Sequence, residues 1–331
     1  MKKRALVIGI DKYDNAAALQ GCVNDAKAIA ELLKRDGTKG AEKNFDVRLL
    51  TSDKDDIDSA RLQAEIERLF KGKADVALLY FAGHGVINPA TEAGHLVSQD
   101  GKKSNWGMSF QDILALQKQA QKDITATVIV LDTCNSGAMG EVPAIGTASI
   151  IENGVTILTS THRDGEAMDG PMHGAFTNIL IDGLRGGCAD IRGNITPAAL
   201  YTHVDQSLSS WEQRPVYKAN VSSFVVLRKV DPKVPDGVLR NFVDWFPVPG
   251  YEFPLDPSFE PDRQNIPEHL RHLPRNPQHE AIFKQLQACN RHGLVVPVGA
   301  EHMYYAAIES KSCKLTLLGE HYRQLAQLER L

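Results

Sequence analysis

Two stretches decide how this chain reads: YFAGHG at residues 80–85 and LDTCNSG at residues 131–137. The first closes an apolar run, DVALLYFA at 75–82, and the second follows TVIVL at 127–131. Both runs are short and rich in β-branched or aromatic residues, so each predicts a buried strand that hands over to small residues carrying one reactive side chain. Outward from these, ALVIGI (5–10), residues 47–50, VTILTS (155–160) and residues 224–227 read as further strands. Between them, apolar residues fall at helical spacing over 25–34 (Ala26, Ile29, Ala30, Leu33), 59–70 (Leu62, Ile66, Leu69, Phe70), 110–119, 176–184 and 197–208. Strands that are apolar throughout and alternate with amphipathic helices predict an α/β fold, a mostly parallel sheet flanked by helices on both faces. Functional groups in such sheets gather at the carboxyl ends of the strands.

If strands 75–82 and 127–131 are parallel neighbours, His84 and Cys134 emerge at one edge, a general base beside a nucleophile. Glycines on both sides let the backbone approach a substrate carbonyl, which makes the N–H groups of Gly85 and Cys134 candidate oxyanion donors. Taken singly, a cysteine is more often a small core hydrophobe. It is the joint pattern, strand-Gly-His-Gly with strand-Asp-x-Cys-x-x-Gly, that points to chemistry.

In this order, ALVIGIDKY (5–13), LQGCVNDA (19–26), YFAGHG, LDTCNSG, residues 159–169, HGAFTNIL (173–180) and QRP (213–215) resemble the caspase-like cysteine peptidases, and within them the metacaspases and their bacterial relatives. The resemblance covers about residues 1–229. It implies a caspase-like fold and a cysteine endopeptidase with Cys134 as nucleophile and His84 as base. Caspases that cut after Asp hold that carboxylate with arginines, whereas QGCVND at 20–25 contains none. Asp25 and Asp132 repel each other in an empty pocket, and a guanidinium fork would relieve that repulsion, so cleavage after Arg or Lys is expected. Asp25 also reads as a helix-capping or first-turn acid, and Asp132 as a carboxylate bracing the Cys134 loop. Cys22 and Ala82 complete the expected S1 pocket, Ala82 standing where metacaspases often carry a serine.

Residues 135–162 contain no Lys or Arg, so an enzyme cutting after basic residues cannot process itself there. Control by a regulatory or sensor protein, or by residues 230–331, is therefore expected. No cofactor and no metal site are expected, calcium activation being an option that the resemblance carries. The acids Asp164, Glu166 and Asp169 read as a solvated loop. A part in bacterial or antiviral defence follows by analogy alone. Two other functions compete: a non-catalytic caspase-like scaffold for protein recruitment, and a nucleic-acid-responsive regulator acting through residues 278–331.

Composition narrows the field. The 331 residues suggest roughly two domains at about 150 residues each. Lys+Arg number 37 against 41 Asp+Glu, a net charge of -4, and aromatics are only 7%, which argues against nucleic acid as a bulk-charge or stacking partner. No stretch reaches the roughly 18 apolar residues of a spanning helix, so no membrane partner is expected. The six apolar residues after Lys2, Lys3 and Arg4 are too few for a leader and read as a core strand. The five cysteines are odd in number and widely spaced, which predicts neither a zinc site nor a disulfide framework and suits a cytoplasmic protein.

Ten prolines fall between 232 and 277, a density that defeats helices and central strands. Residues 230–277 therefore read as a linker or as an arm wrapping the first domain, the aromatics Phe242, Trp245, Phe246, Tyr251, Phe253 and Phe259 favouring the arm. Residues 278–331 read as a small helical, winged-helix-like interaction module.

Overall fold

The computed structural model describes residues 1–37, 42–88, 91, 93–134, 151–160, 174–208, 215–262 and 266–331; at Cys134 it describes the strand position and not the side chain. The chain divides into two units, Met1–Ala189 with Gly193–Asp231, and Asp190–Arg192 with Pro232–Leu331.

The first unit is built on an eight-stranded sheet. In chain order it contains β1 (Lys3–Gly9), α1 (Cys22–Lys34), β2 (Asp46–Thr51), α2 (Ser59–Phe70), β3 (Ala74–Ile87), β4 (Gly94–Lys102), β5 (Asn105–Ser109), α3 (Phe110–Ala120), β6 (Ile124–Cys134), β7 (Val155–Thr159), α4 (Ala175–Asp182), α5 (Pro197–Ser207) and β8 (Val216–Asn220). The strand order is β8-β7-β6-β3-β1-β2, with β4 paired to the far end of β3 and β5 to β4. Strands β2, β1, β3, β6 and β7 run parallel, and β8 closes one edge antiparallel to β7.

The alternation of the strands separates two cores. On one face Leu6, Ile8, Ala77, Leu79 and Phe81 pack with Leu62, Ile66 and Leu69 of α2 and with Phe110 and Ile113 of α3. On the other, Ala5, Val7, Val76, Leu78, Tyr80 and Ala82 pack with Ala26, Ile29 and Leu33 of α1, Phe176 and Leu180 of α4, and Leu200 and Val204 of α5. Both faces are covered, which is why β3 is apolar at every position from Val76 to Ala82.

Within the secondary structure of this unit, the structure departs from the sequence reading in four places. Residues 83–85 and 132–134 continue their strands instead of forming loops. Their glycines and polar residues hid that continuation, which shows only in the pairing of Gly83 with Thr133 and of His84 with Cys134. The hairpin β4–β5 is unforeseen, because His95, Gln99 and Asp100 break its apolar pattern. The last strand of the eight-stranded sheet is Val216–Asn220 and not residues 224–227, and a short strand, Arg228–Lys229, follows in a separate pair with Asn194–Ile195; an edge strand is only half-buried and shows no apolar run, while Phe224 lies 70% exposed. Finally, α4 gives way to a π-helical turn, Gly183–Gly187.

In the second unit the proline-rich stretch supplies core residues. Phe242, Phe246, Phe253, Phe259 and Phe283 form a chain of rings at centroid spacings of 5.8–6.4 Å. The same core holds Leu286 and Cys289 of α6 (Pro277–Arg291), Ala306 and Ala307 of α7 (Met303–Ile308), and Cys313 and Leu315. Residues 232–331 therefore share one core, and a boundary at 277 between an arm and a separate module is not seen. Strands β9 (Phe253–Pro254), β10 (Val295–Val298) and β11 (Ser312–Leu315) pair antiparallel with β11 in the middle, and α8 (Leu317–Gln327) ends the unit. Burial pushes the thiols of Cys289 and Cys313 up to about 12, as expected of structural cysteines.

Gly9 ends β1 where the first turn of α1 presses against it. A Cβ there would lie 2.3 Å from the Cys22 carbonyl oxygen and 2.7 Å from Ala26 Cβ. Gly9→Ala must push α1 off the sheet and is expected to cost about 1–3 kcal/mol. Urea denaturation checks this, an unchanged midpoint contradicting it.

Candidate active site

The register of β3 against β6 carries through to the ends of both strands: Phe81 pairs with Leu131, Ala82 with Asp132, Gly83 with Thr133 and His84 with Cys134. Adjacent strands lie about 4.8 Å apart. The two residues that the sequence singled out, fifty positions apart, are thus direct neighbours across the ladder at its carboxyl edge. Residues 135–137 of that motif lie outside the described residues, as do Asp164, Glu166, Asp169, His173, Gln213 and Arg214.

His84 is held at three points. Its backbone N–H donates to the Tyr13 hydroxyl at 2.7 Å. The two rings lie 4.6 Å apart and tilted. Its Nε2 lies 2.8 Å from the Ala17 carbonyl oxygen. A carbonyl only accepts, so Nε2 carries the proton and Nδ1 is the basic nitrogen of the neutral ring. Gly83 makes the arrangement fit, because a Cβ at that position would lie 2.5 Å from the Tyr13 hydroxyl. Beyond His84 the strand turns into the β4 hairpin, where Asn88 N–H bonds to the Ala93 carbonyl. Counting back from that bond, the alternation of an antiparallel ladder turns the Gly85 N–H away from its partner Leu96 in β4.

An acidic cluster adjoins this edge. Asp11, in the loop after β1, caps α1 by accepting from the N–H groups of Cys22 at 2.9 Å and Val23 at 3.3 Å. The capping role considered for Asp25 thus falls to Asp11. Asp25, in the first turn of α1, is 3% exposed and accepts from the Gly174 N–H at 3.4 Å. Asp132 accepts from the Thr177 hydroxyl at 2.6 Å, and that hydroxyl lies 2.6 Å from the Tyr80 hydroxyl. Burial pushes the Cys22 thiol far above the ordinary range, and the charges of Asp11, Asp132 and Asp25 push the same way. Ala82 is 1% exposed, packs in the core and brings no polar side chain to the cluster. Of the expected pocket residues, the structure brings Cys22, Asp25 and Asp132 into one electrostatic neighbourhood and adds Asp11, Tyr80 and Thr177. Among the described residues no group of three or more His, Cys, Asp or Glu is arranged to hold a metal ion, and no helix is long and apolar enough to cross a membrane.

The sequence reading passed over Tyr13, Ala17, Asp11 and Thr177. Ala17 acts through its backbone, which no residue type signals. Tyr13 and Asp11 sit inside the first motif but acquire a role only through the path of the chain. Thr177 alone left a mark, a hydroxyl among Phe176, Ile179, Leu180 and Ile181.

Residues 2–225 match the family described as Caspase domain, and the chain belongs to that family of cysteine peptidases. Among curated proteins it is similar to metacaspase-9 of Arabidopsis thaliana, 26% identical over 175 residues, 49% of this chain and 52% of that protein. It is also similar to metacaspase-1 of Mycosarcoma maydis, 24% identical over 161 residues, 45% of this chain and 39% of that protein. The chain therefore spans about half the length, or less, of these relatives. Among solved structures, caspase-1 from Spodoptera frugiperda aligns at 17% identity and a TM-score of 0.48, covering 69% of this chain and 90% of that one. A Geobacter sulfurreducens protein aligns at 17% identity and 0.49, covering 70% and 98%.

The raised Cys22 thiol gives a direct check. Iodoacetamide at pH 8 is expected to leave Cys22 unmodified in the folded protein, as read by peptide mass spectrometry, since the thiolate is the reacting form. Modification at the rate of an exposed cysteine contradicts the buried acidic setting.

Proposed function

We propose that the chain is a cysteine endopeptidase that cuts after Arg or Lys, with Cys134 as nucleophile and His84 as general base. The observation that carries this is the pairing of positions 84 and 134 at the carboxyl ends of adjacent parallel strands. In the proposed reaction His84 Nδ1 takes the thiol proton, and the Cys134 sulfur adds to the scissile carbonyl carbon. The Gly85 and Cys134 N–H groups receive the oxyanion. The imidazolium then returns its proton to the leaving amine, and water, activated by the same ring, hydrolyses the thioester. The Ala17 carbonyl supports the base role, because it fixes the tautomer in which Nδ1 accepts.

The acidic cluster supports the substrate class. Asp25 and Asp132, with Asp11 nearby, offer a guanidinium or ammonium group several carboxylates. Arg gains more than Lys where two carboxylate oxygens are presented together. The substrate is thus a protein or peptide with a basic residue before the cut bond. Control by a partner protein or by residues 230–331, with calcium activation as an option, belongs to the same proposal.

Purified protein is expected to release the reporter group from peptides ending in Arg, less readily from Lys, and not from Asp. Cys134→Ala and His84→Ala should each abolish release, a loss of about 10³-fold or more, while the circular dichroism spectrum is unchanged. Undiminished cleavage by Cys134→Ala would overturn the assignment.

A further inference from the structure

We propose that Thr177 and Tyr80 form a proton-ordered relay that positions Asp132 as the charged wall of the substrate pocket, which makes both of them specificity-determining residues. The inference rests on the reading of Asp132 as a pocket acid and extends it to two residues that touch no substrate.

The relay follows from counting protons. Thr177 Oγ1 stands 2.6 Å from Asp132 Oδ2 and 2.6 Å from Tyr80 Oη. A threonine hydroxyl has one proton to give. An ionised carboxylate can only accept, so that proton points at Asp132. The remaining bond must run from Tyr80 to Thr177, giving Tyr80 O–H to Thr177 O–H to Asp132. Both links are buried: Tyr80 is 1% exposed and Thr177 is 0% exposed. Burial, then the charges of Asp132 and Asp25, hold the Tyr80 phenol well above its usual range, so it stays protonated and able to donate. Consecutive hydrogen bonds that point the same way polarise and strengthen one another where water is absent.

The Thr177 hydroxyl donates to the charged carboxylate of Asp132, and hydrogen bonds to an ionised acceptor are among the stronger ones. Asp11 and Asp25 share the same electrostatic neighbourhood, beside the half-buried Cys22 thiol. The relay also fixes direction. With Oδ2 held by Thr177 on α4, the orientation of the carboxylate is set from the helix and not by the substrate. Three elements meet in it: Tyr80 from β3, Asp132 from β6 and Thr177 from α4.

The test is steady-state cleavage by the full chain of matched peptides with Arg, Lys or norleucine before the cut bond. The proteins are wild type, Thr177→Val, Thr177→Ser and Tyr80→Phe, each checked for an unchanged melting temperature. Thr177→Val keeps the shape and removes the donor; KM for Arg peptides is expected to rise roughly tenfold with little change in kcat. The norleucine peptide should be unaffected. Thr177→Ser should restore the low KM, and Tyr80→Phe should give a smaller rise in the same direction. Equal kinetics of Thr177→Val and wild type on Arg peptides would overturn the relay, as would a loss shared by all three peptides that serine does not rescue. If wild type itself shows no preference for Arg or Lys over norleucine, the pocket reading falls and the relay with it. If wild type prefers Arg and Thr177→Val keeps that preference undiminished, the relay alone falls.

Discussion

The register of one parallel strand pair is the constraint on which the site depends. Ten residue pairs lock β3 to β6, from Ala74 opposite Ile124 to His84 opposite Cys134. A slip by one residue would turn every side chain of one strand to the opposite face. It would place Leu79 and Phe81 where Leu78 and Tyr80 now pack, so the two cores fix the register. The same packing that buries Ile129 and Leu131 on one side and Val128 and Val130 on the other thereby sets position 134 beside position 84. Reactive residues are placed at the end of a rigid, deeply buried ladder, which is where geometry is held most tightly.

Around that edge the chain arranges two kinds of support. His84 is fixed from the loop after β1, through the Tyr13 hydroxyl and the Ala17 carbonyl, and Gly83 is small because Tyr13 must reach past it. The acidic cluster is fixed from α1 and α4, with Asp11 capping the first helix and Thr177 reaching down from the second toward Asp132. Carboxylates gathered in this way, Asp25 buried and Asp11 and Asp132 half-buried, cost stability, which donors help to offset: peptide N–H groups for Asp11 and Asp25, a hydroxyl for Asp132.

Much of this was legible in the sequence, for stated reasons. Apolar runs such as VALLYFA and TVIVL announce strands buried on both faces, and their tails carry the reactive residues, so the α/β class and the two motifs could be read directly. The strand character of residues 83–85 could not, since glycine and histidine carry no strand signal and only pairing makes them one. Edge strand β8 and hairpin β4–β5 were invisible because half-buried strands mix polar and apolar residues without a run. The proline-rich stretch misled in another way: proline density excludes regular structure but not burial, and the phenylalanines of residues 242–259 build a core from irregular chain. Contacts made by backbone, as at Ala17, leave no trace in residue type at all.

The central claim is that His84 acts on Cys134, and the pH dependence of Cys134 alkylation tests it most directly. The rate should be followed by mass spectrometry in wild type and in His84→Ala. An interacting pair predicts that wild type reacts at pH values below those at which a free thiol ionises, about 8.5, and that His84→Ala shifts the profile up to that range. Superimposable profiles for the two proteins would contradict the pairing.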